Sequence, residues 1–369
     1  MTSDNQPRCF SHQSLTEFTE QVFRCSGIPR VDASTAAEVL VTSDLRGIDS
    51  HGIARLRPYV NAIRSGRINP KPNIAIIRET PSTAQIDGDR GLGLVVGPRA
   101  NQVAMEKAAA CGSGWVAVKN SNHYGIAGYY PLQALRRDLI GFSMTNSSAL
   151  VTPHLGAERM LGTNPLAVAF PGAEEPPVVI DMASSIVAYG KIEIAMRENR
   201  QIEPGWAIDS EGNATRDPHA VRDGGALLPI GSDRSSGGHK GYCLSSLVDL
   251  LSGVLSGANW GPFVPPFILA VTQAGQPVGD GLGHFFGALQ IAGFSDVDAF
   301  KKRVDQWIRT MRATPPAPGE SAVLIPGDPE RDAESHRSVH GIPLLPTVAA
   351  DLEIAADLAG VQFPDPIPQ

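Results

Sequence analysis

The sequence predicts an α/β protein whose central part is flanked by helices from both chain ends. Three observations carry this reading. Apolar residues recur at helical spacing between 14 and 65, short β-rich runs alternate with helical stretches from about residue 83, and segments 297–312 and 347–360 again read as helices. A chain of 369 residues suggests two or three substructures.

Taken in order, Ser14-Leu15-Thr16-Glu17 has the form of a capping box, followed by Leu15, Phe18, Val22 and Cys25 on one face until Gly27. Ala36, Leu40 and Leu45 continue an apolar face after Asp32. A further segment with Ile53, Leu56, Val60 and Ile63 ends at Gly66, and Pro58 within it predicts an irregular lead-in over 50–55 with regular turns from near Arg57. Strands are predicted at 84–87, 115–118, 140–144, 166–170, 178–181 and 283–289, and helices at 98–110 and 184–198. The apolar stretch 242–255 carries Asp249 and falls short of the roughly 20 residues a bilayer needs, so it reads as a buried core helix. Residues 313–319 read as a Pro/Ala linker.

Composition narrows the function. Hydrophobic residues make up 42% and charged residues 19%, as in a folded globular chain. With 31 basic and 38 acidic side chains the net charge is -7 and the basic residues form no patch, which argues against nucleic acid as a partner. The polar N-terminus, residues 1–10, shows no leader pattern, so the expected address is cytoplasmic, without a membrane anchor. Cys9, Cys25, Cys111 and Cys243 are far apart, with no C-x-x-C. They are expected to be reduced and mostly buried, with no metal site.

Four segments carry candidate chemistry. In Asp49-Ser50-His51-Gly52-Ile53-Ala54-Arg55, an arginine can hold a carboxylate bidentately and a histidine can exchange a proton at neutral pH. On a helix their i,i+4 spacing would put both on one face. Lys119 to Gly125, around His123, follows a predicted strand, where α/β sheets commonly bind ligands. Leu161 to Pro165 and Asp181 to Ser185 are polar turns flanking strands, and Gly237-Gly238-His239-Lys240-Gly241 opens a helix whose N-terminus favours negative charge. Taken singly, each has an ordinary structural reading: a surface His and Arg, a polar turn, a glycine loop. Gly91-Leu92-Gly93 with Gly97 approaches the dinucleotide fingerprint but is one residue too long and lacks its acidic partner. Ser50 beside His51 raises a serine hydrolase, but neighbours on a helix point apart and no G-x-S-x-G occurs. A non-catalytic small-molecule binder stays open by pattern.

Together, the segments resemble in order the malate/L-lactate dehydrogenase family, which also holds ureidoglycolate, sulfolactate and 2,3-diketogulonate oxidoreductases. The likeness rests on Asp44-Leu45-Arg46-Gly47, Ser50-His51-Gly52 with Arg55, Asn120 to Gly125, Met144-Thr145-Asn146, Gly162 to Pro165, Asp181-Met182-Ala183, Gly190-Lys191, His239-Lys240-Gly241 and Gly341 to Leu344. It implies a mainly helical domain from both chain ends (1–80 plus 297–369) and an α/β domain (81–296) binding NAD or NADP in a non-Rossmann manner, in a homodimer. The reaction implied is hydride transfer between nicotinamide and a small 2-hydroxy/2-oxo acid.

By the same resemblance His51 is the acid/base and Ser50 its hydrogen-bonding partner. Arg55, Thr163 and His123 meet substrate. His123, Tyr124, Gly125, Ile126, Ala127, Ser147, Asp181, Met182, Ala183, His239, Lys240, Gly327, Asp328 and Glu330 meet the cofactor. Lys191 counts with the catalytic set: members that reduce cyclic imino acids carry Asp there, so Lys favours an oxo acid over the alternative of a cyclic ketimine reductase. The chain departs from the family pattern around 263–281 and 313–319.

Overall fold

The computed structural model describes residues 7–267 and 275–368. The first six residues of the polar N-terminus, and 268–274 within the departing region, lie outside the described residues.

Strand β1 (Arg8–Phe10) leads into helix α1 (His12–Cys25), α2 (Arg30–Leu45), two 3-10 turns and α3 (Leu56–Arg64). The N-cap of α1 is Ser11, which accepts the Gln13 N–H at 3.2 Å, so the expected box at 14–17 starts one turn too late. Ser14 lies inside the first turn and donates its hydroxyl to Ser11 O. Leu15, Phe18 and Val22 are buried as the spacing requires, whereas Cys25 is exposed at the helix end. The regular turns of α3 begin at Leu56, with Pro58 in the first turn, where a missing N–H costs nothing.

The chain then forms β2 (Ala75–Glu79), β3 (Thr83–Asp87), α4 (Gly93–Cys111), β4 (Ser113–Ser121), α5 (Tyr129–Leu135), β5 (Leu139–Thr145), β6 (Leu166–Phe170) and β7 (Val178–Met182). A lobe follows with α6 (Tyr189–Arg197), β8 (Ala207–Ile208), β9 (Ala214–Thr215), α7 (Pro218–Arg222) and β10 (Ala226–Leu227). The last third holds α8 (Gly238–Asp249), β11 (Leu282–Gln290), α9 (Val297–Arg312), α10 (Asp328–His340), β12 (Ile342–Leu344) and α11 (Pro346–Ala359). Among the described residues, seven strands make one mixed sheet in the order β2-β3-β4-β11-β5-β6-β7. Of these strands β3 and β4, joined through α4, run parallel, and the other neighbours are antiparallel. β11 lies at the centre, with every residue from Leu282 to Ala288 buried.

One core unites α1 to α3 with α4, β3, β4 and the 124–130 segment, and β12 and α11 return to it. There β1 pairs with β12, placing Phe10 against Phe363 at 5.3 Å. A separate core of Val151, Ile192, Ile202 and Leu227 supports the small lobe. Helix α9 packs Ile308 on Val178 at the far edge of the large sheet.

Two expectations are corrected. The 242–255 stretch is not a buried core helix: α8 ends at Asp249 and passes into a π-helical turn over Leu250–Val254, with Leu250 56% and Leu255 58% exposed. Its buried side include the small or polar Ser245, Asp249, Ser252 and Gly253, so an apolar run with no clear period did not reveal which side faced inward. The cysteines are free, but Cys25, Cys111 and Cys243 are exposed, each near a helix end or on an outward face. Among the described residues no helix is long and apolar enough to cross a membrane, and no group of three metal-binding side chains occurs.

Candidate active site

The segment after α2 folds over a buried acid. Asp44, 1% exposed, accepts the Ile53 N–H at 2.7 Å, and a Cβ on Gly52 would fall 2.1–2.2 Å from its carboxyl atoms. Only glycine fits where the chain crosses that carboxyl. Burial pushes the Asp44 carboxyl well above the usual range and Asp49 adds to this, while the Ile53 N–H and Arg337 oppose it. From α10, Arg337 donates to Asp44 O and to the Asp49 carboxylate. The result is a pair of 3-10 turns, Asp49–His51 and Ile53–Arg55, rather than one α-helix.

That tighter winding brings neighbours together. Ser50 Oγ lies 2.9 Å from His51 Nδ1, and Arg55 Nε donates to Ser50 O at 2.6 Å. The expectation that adjacent Ser50 and His51 point apart held for an α-helix and fails here for that reason. Both His51 and Arg55 face a cavity of about 370 Å³. Burial, and then Arg55, lower the His51 pKa to about 4, so the ring is neutral at pH 7. Burial also lowers the Arg55 pKa, against which Glu193 and Tyr59 hold the charge.

The second wall comes from the loop after β4. His123 stacks on His51 with ring centroids 5.5 Å apart and on Phe267 at 5.3 Å. Its Nδ1 meets Tyr59 Oη at 2.6 Å and accepts the Gly125 N–H at 3.4 Å. An Nδ1 that accepts leaves the ring hydrogen on Nε2, as a donor. Burial, then the charges of His51 and Arg55, push the His123 pKa well below its ordinary value. Gly125, Ile126 and Ala127 continue this wall.

Thr163 and Ser147 supply hydroxyls 3.3 Å apart, braced by the Thr163 N–H on Ser147 Oγ and by Asn164 Oδ1 accepting the Ser147 N–H. Asp181 and Met182 at the end of β7, the following Ala183, and Glu330 from the first turn of α10 line the same cavity. One Asp181 oxygen accepts the Gly128 N–H at 2.8 Å. Burial raises the Asp181 pKa to about 6, with Gly128 pulling it down and Glu330 pushing it up.

Other expected site residues do not line this cavity. Tyr124 sits behind it, bonded to Ser143 Oγ at 3.0 Å and stacked on His284 at 4.8 Å. Gly327 caps α10, and Asp328 is buried in ion pairs with Arg312 and Arg331 while accepting the Ile325 N–H. Lys191 is exposed, its ammonium 5.6 Å from the Trp206 ring centroid. His239 and Lys240 are exposed on the first turn of α8. The glycine beside them serves packing, since a Cβ on Gly238 would meet Ser232 O at 2.0 Å. Conversely, the residue patterns did not single out Tyr59, Phe267, Tyr189 or Glu193. Tyr59 had one legible signal, its position four residues beyond Arg55.

The malate/L-lactate dehydrogenase family model matches residues 10–353. The chain is 43% identical over 349 residues to malate dehydrogenase of Pyrococcus horikoshii, covering 94% of each chain. It is 40% identical over 309 residues to L-sulfolactate dehydrogenase of Methanocaldococcus jannaschii, covering 84% of this chain and 85% of that one. The solved structure of malate dehydrogenase from Entamoeba histolytica superposes with a TM-score of 0.90 at 35% identity, covering 98% of this chain and 100% of that one. A match of this length, together with a cavity built on the Ser50-His51-Gly52 and Arg55 turns, means that the chain belongs to the malate/L-lactate dehydrogenase family and is an enzyme, a dehydrogenase.

Proposed function

We propose that the protein transfers hydride between NAD or NADP and a small 2-hydroxy or 2-oxo carboxylic acid, with His51 as acid/base. The observation that carries this is the convergence of the His51 ring and the Arg55 guanidinium on one cavity beside the Asp181 carboxyl. A nicotinamide bound there would accept or return the hydride at the substrate's C2. The residues suit a dinucleotide. Asp181 has one oxygen fixed by Gly128, and its other oxygen is an acceptor of the kind a ribose hydroxyl needs. Ala127, Met182 and Ala183 offer apolar surface. The largely antiparallel sheet, and a cavity that excludes the 88–97 glycine loop, support a non-Rossmann mode.

Arg55 holds the C1 carboxylate; its Nε bond to Ser50 O fixes the fork's direction. In oxidation His51 must take the hydroxyl proton on Nε2, which requires Nδ1–H to face Ser50 Oγ, and Ser50 stands 2.9 Å away to accept it. In reduction His51 must begin as imidazolium. A bound carboxylate favours that form by offsetting Arg55, the second cause of the low pKa. His123 donates from Nε2, and Tyr59 sets that tautomer. The exposed apolar residues of α8 and its π turn support the homodimer in this reading. Turnover of a panel of 2-oxo acids against NADH and NADPH, followed by loss of reduced-nicotinamide absorbance, tests it. No consumption with any acid and either cofactor would refute it.

A further inference from the structure

We propose that Arg67 is a positioning residue for the reaction: it brackets the Pro265-Pro266-Phe267 segment, so that the Phe267 ring fixes the plane in which His123 presents its Nε2 hydrogen to the substrate. The inference rests on the reading of the cavity as a 2-oxo acid site in which His123 meets substrate.

The direction of a ring N–H is set by two constraints, one on rotation of the ring within its plane and one on the plane itself. The bond between Tyr59 Oη and His123 Nδ1, at 2.6 Å, supplies the first. Phe267 supplies the second. Its ring centroid lies 5.3 Å from that of His123 and the two planes are within 3° of parallel, so a tilted imidazole would drive an edge into the phenyl face. The same phenyl rests on Tyr59 at 4.7 Å and therefore also buttresses the group that orients His123. His123 in turn stacks on His51 at 5.5 Å, so a displaced His123 also disturbs the acid/base.

Phe267 needs an external support. The two prolines before it have no N–H, so that stretch of backbone offers acceptors and no donors. Arg67 brings the donors: Nη1 to Pro266 O and Nη2 to Pro265 O at 3.3 Å, with its guanidinium carbon 5.7 Å from the Phe267 ring centroid, within cation–π range. Among the described residues no carboxylate pairs with this half-buried guanidinium, and burial lowers its pKa. A desolvated cation held by two carbonyls and an aromatic face is unfavourable unless those contacts are made, which marks the bracket as its role. Arg67 is itself anchored. Gly66, at φ +74°, turns the chain out of α3, and the fully buried Ile68 donates its N–H to Ala62 O at 3.0 Å. Tyr59 stands on the same helix, so one rigid unit controls His123 twice, directly through the tyrosine and through Arg67 by way of the phenyl.

A double-variant cycle tests this. Arg67→Met keeps the length of the side chain and removes its donors. With a 2-oxo acid that the wild-type enzyme reduces, its kcat is expected to fall about tenfold to 10²-fold, as for catalytic groups misplaced by up to ~1 Å, while dinucleotide affinity by fluorescence titration and the unfolding temperature stay near wild-type. Arg67→Lys keeps the charge without the planar fork and should recover part of the loss. Phe267→Ala should cost a similar factor, and adding Arg67→Met to it should cost nothing more, because the bracket then has no ring to hold. If Arg67→Met does not fold, Arg67→Lys takes its place in the cycle. Wild-type kcat in either single variant overturns the proposal, and so do losses that multiply in the double variant. A loss accompanied by equal falls in dinucleotide affinity and unfolding temperature marks a merely structural arginine and overturns it too. If the wild-type enzyme turns over no acid, it is the reading of the cavity that fails, a result distinct from these.

Discussion

Substituting Gly52 by alanine probes the device that positions the catalytic turns. The new methyl carbon would sit 2.1–2.2 Å from the Asp44 carboxyl atoms, whereas an ordinary contact is about 3.4 Å or more, so something must move by roughly 1 Å. Asp44 is poorly placed to yield, because it accepts the Ile53 N–H at 2.7 Å and is walled in by the core. The displacement is therefore expected in the 49–55 backbone, which carries both His51 and Arg55. A misplacement near 1 Å in catalytic groups costs about 10²-fold in rate, and overpacking of this kind typically costs ~1–3 kcal/mol of stability. Steady-state kinetics with the best 2-oxo acid, paired with thermal unfolding, separates the two effects. The expected result is a large fall in kcat/KM in protein that still unfolds cooperatively. Wild-type kcat/KM in Gly52→Ala would refute the claim that the turn is held against Asp44.

Other consequences are checked more simply. His51→Asn should lower turnover by about 10²–10⁴-fold with little change in unfolding temperature; near-wild-type turnover would remove His51 from its role. Because burial and Arg55 hold the His51 pKa to about 4, the basic ring persists in acid, and kcat/KM for hydroxy-acid oxidation should fall only as pH drops through about 4. Removing the positive neighbour in Arg55→Gln should move that limb to higher pH, still below the ordinary histidine value because the larger cause, burial, remains; an unmoved limb would contradict this. Arg55→Lys keeps the charge but loses the planar fork, and should chiefly raise KM for the acid, as initial-rate kinetics would show. Asp181→Asn should weaken dinucleotide binding measured by fluorescence titration while leaving the Gly128 turn folded, and unchanged affinity would exclude Asp181 from the cofactor site.

The parts of the site legible in the sequence were those set by local chemistry. Ser50, His51 and Arg55, the loop carrying His123 and Gly125 to Ala127, and Thr163 lie in polar interruptions between the longer elements, Asp181 lies near the end of β7, and the structure gathers them around one cavity. The geometry uniting them was less legible. Helical spacing predicted that His51 and Arg55 share a face, but they converge through two 3-10 turns imposed by Asp44, an acid buried by a contact nine residues away. Glu193 and Phe267 reach the cavity only because distant segments fold over it. Likewise the box read at Ser14 could be tested only once the start of α1 was fixed at Ser11, and the apolar 242–255 run gave no sign of how much of it would stay uncovered.

The central strand of the large sheet arrives late. β4 and β5 are synthesised by residue 145, yet neither pairs with the other; both wait for β11, which begins at Leu282. Until then a nascent chain exposes two unsatisfied strand edges rich in apolar residues, the kind of surface that invites intermolecular pairing. The Asn146 side chain, which accepts the Gly283 N–H, and Thr145, which meets His284 at 2.7 Å, can settle only once β11 has inserted. Assembly of the cavity is thus tied to a long-range closure, which predicts slow refolding in vitro and a need for protection by chaperones during translation.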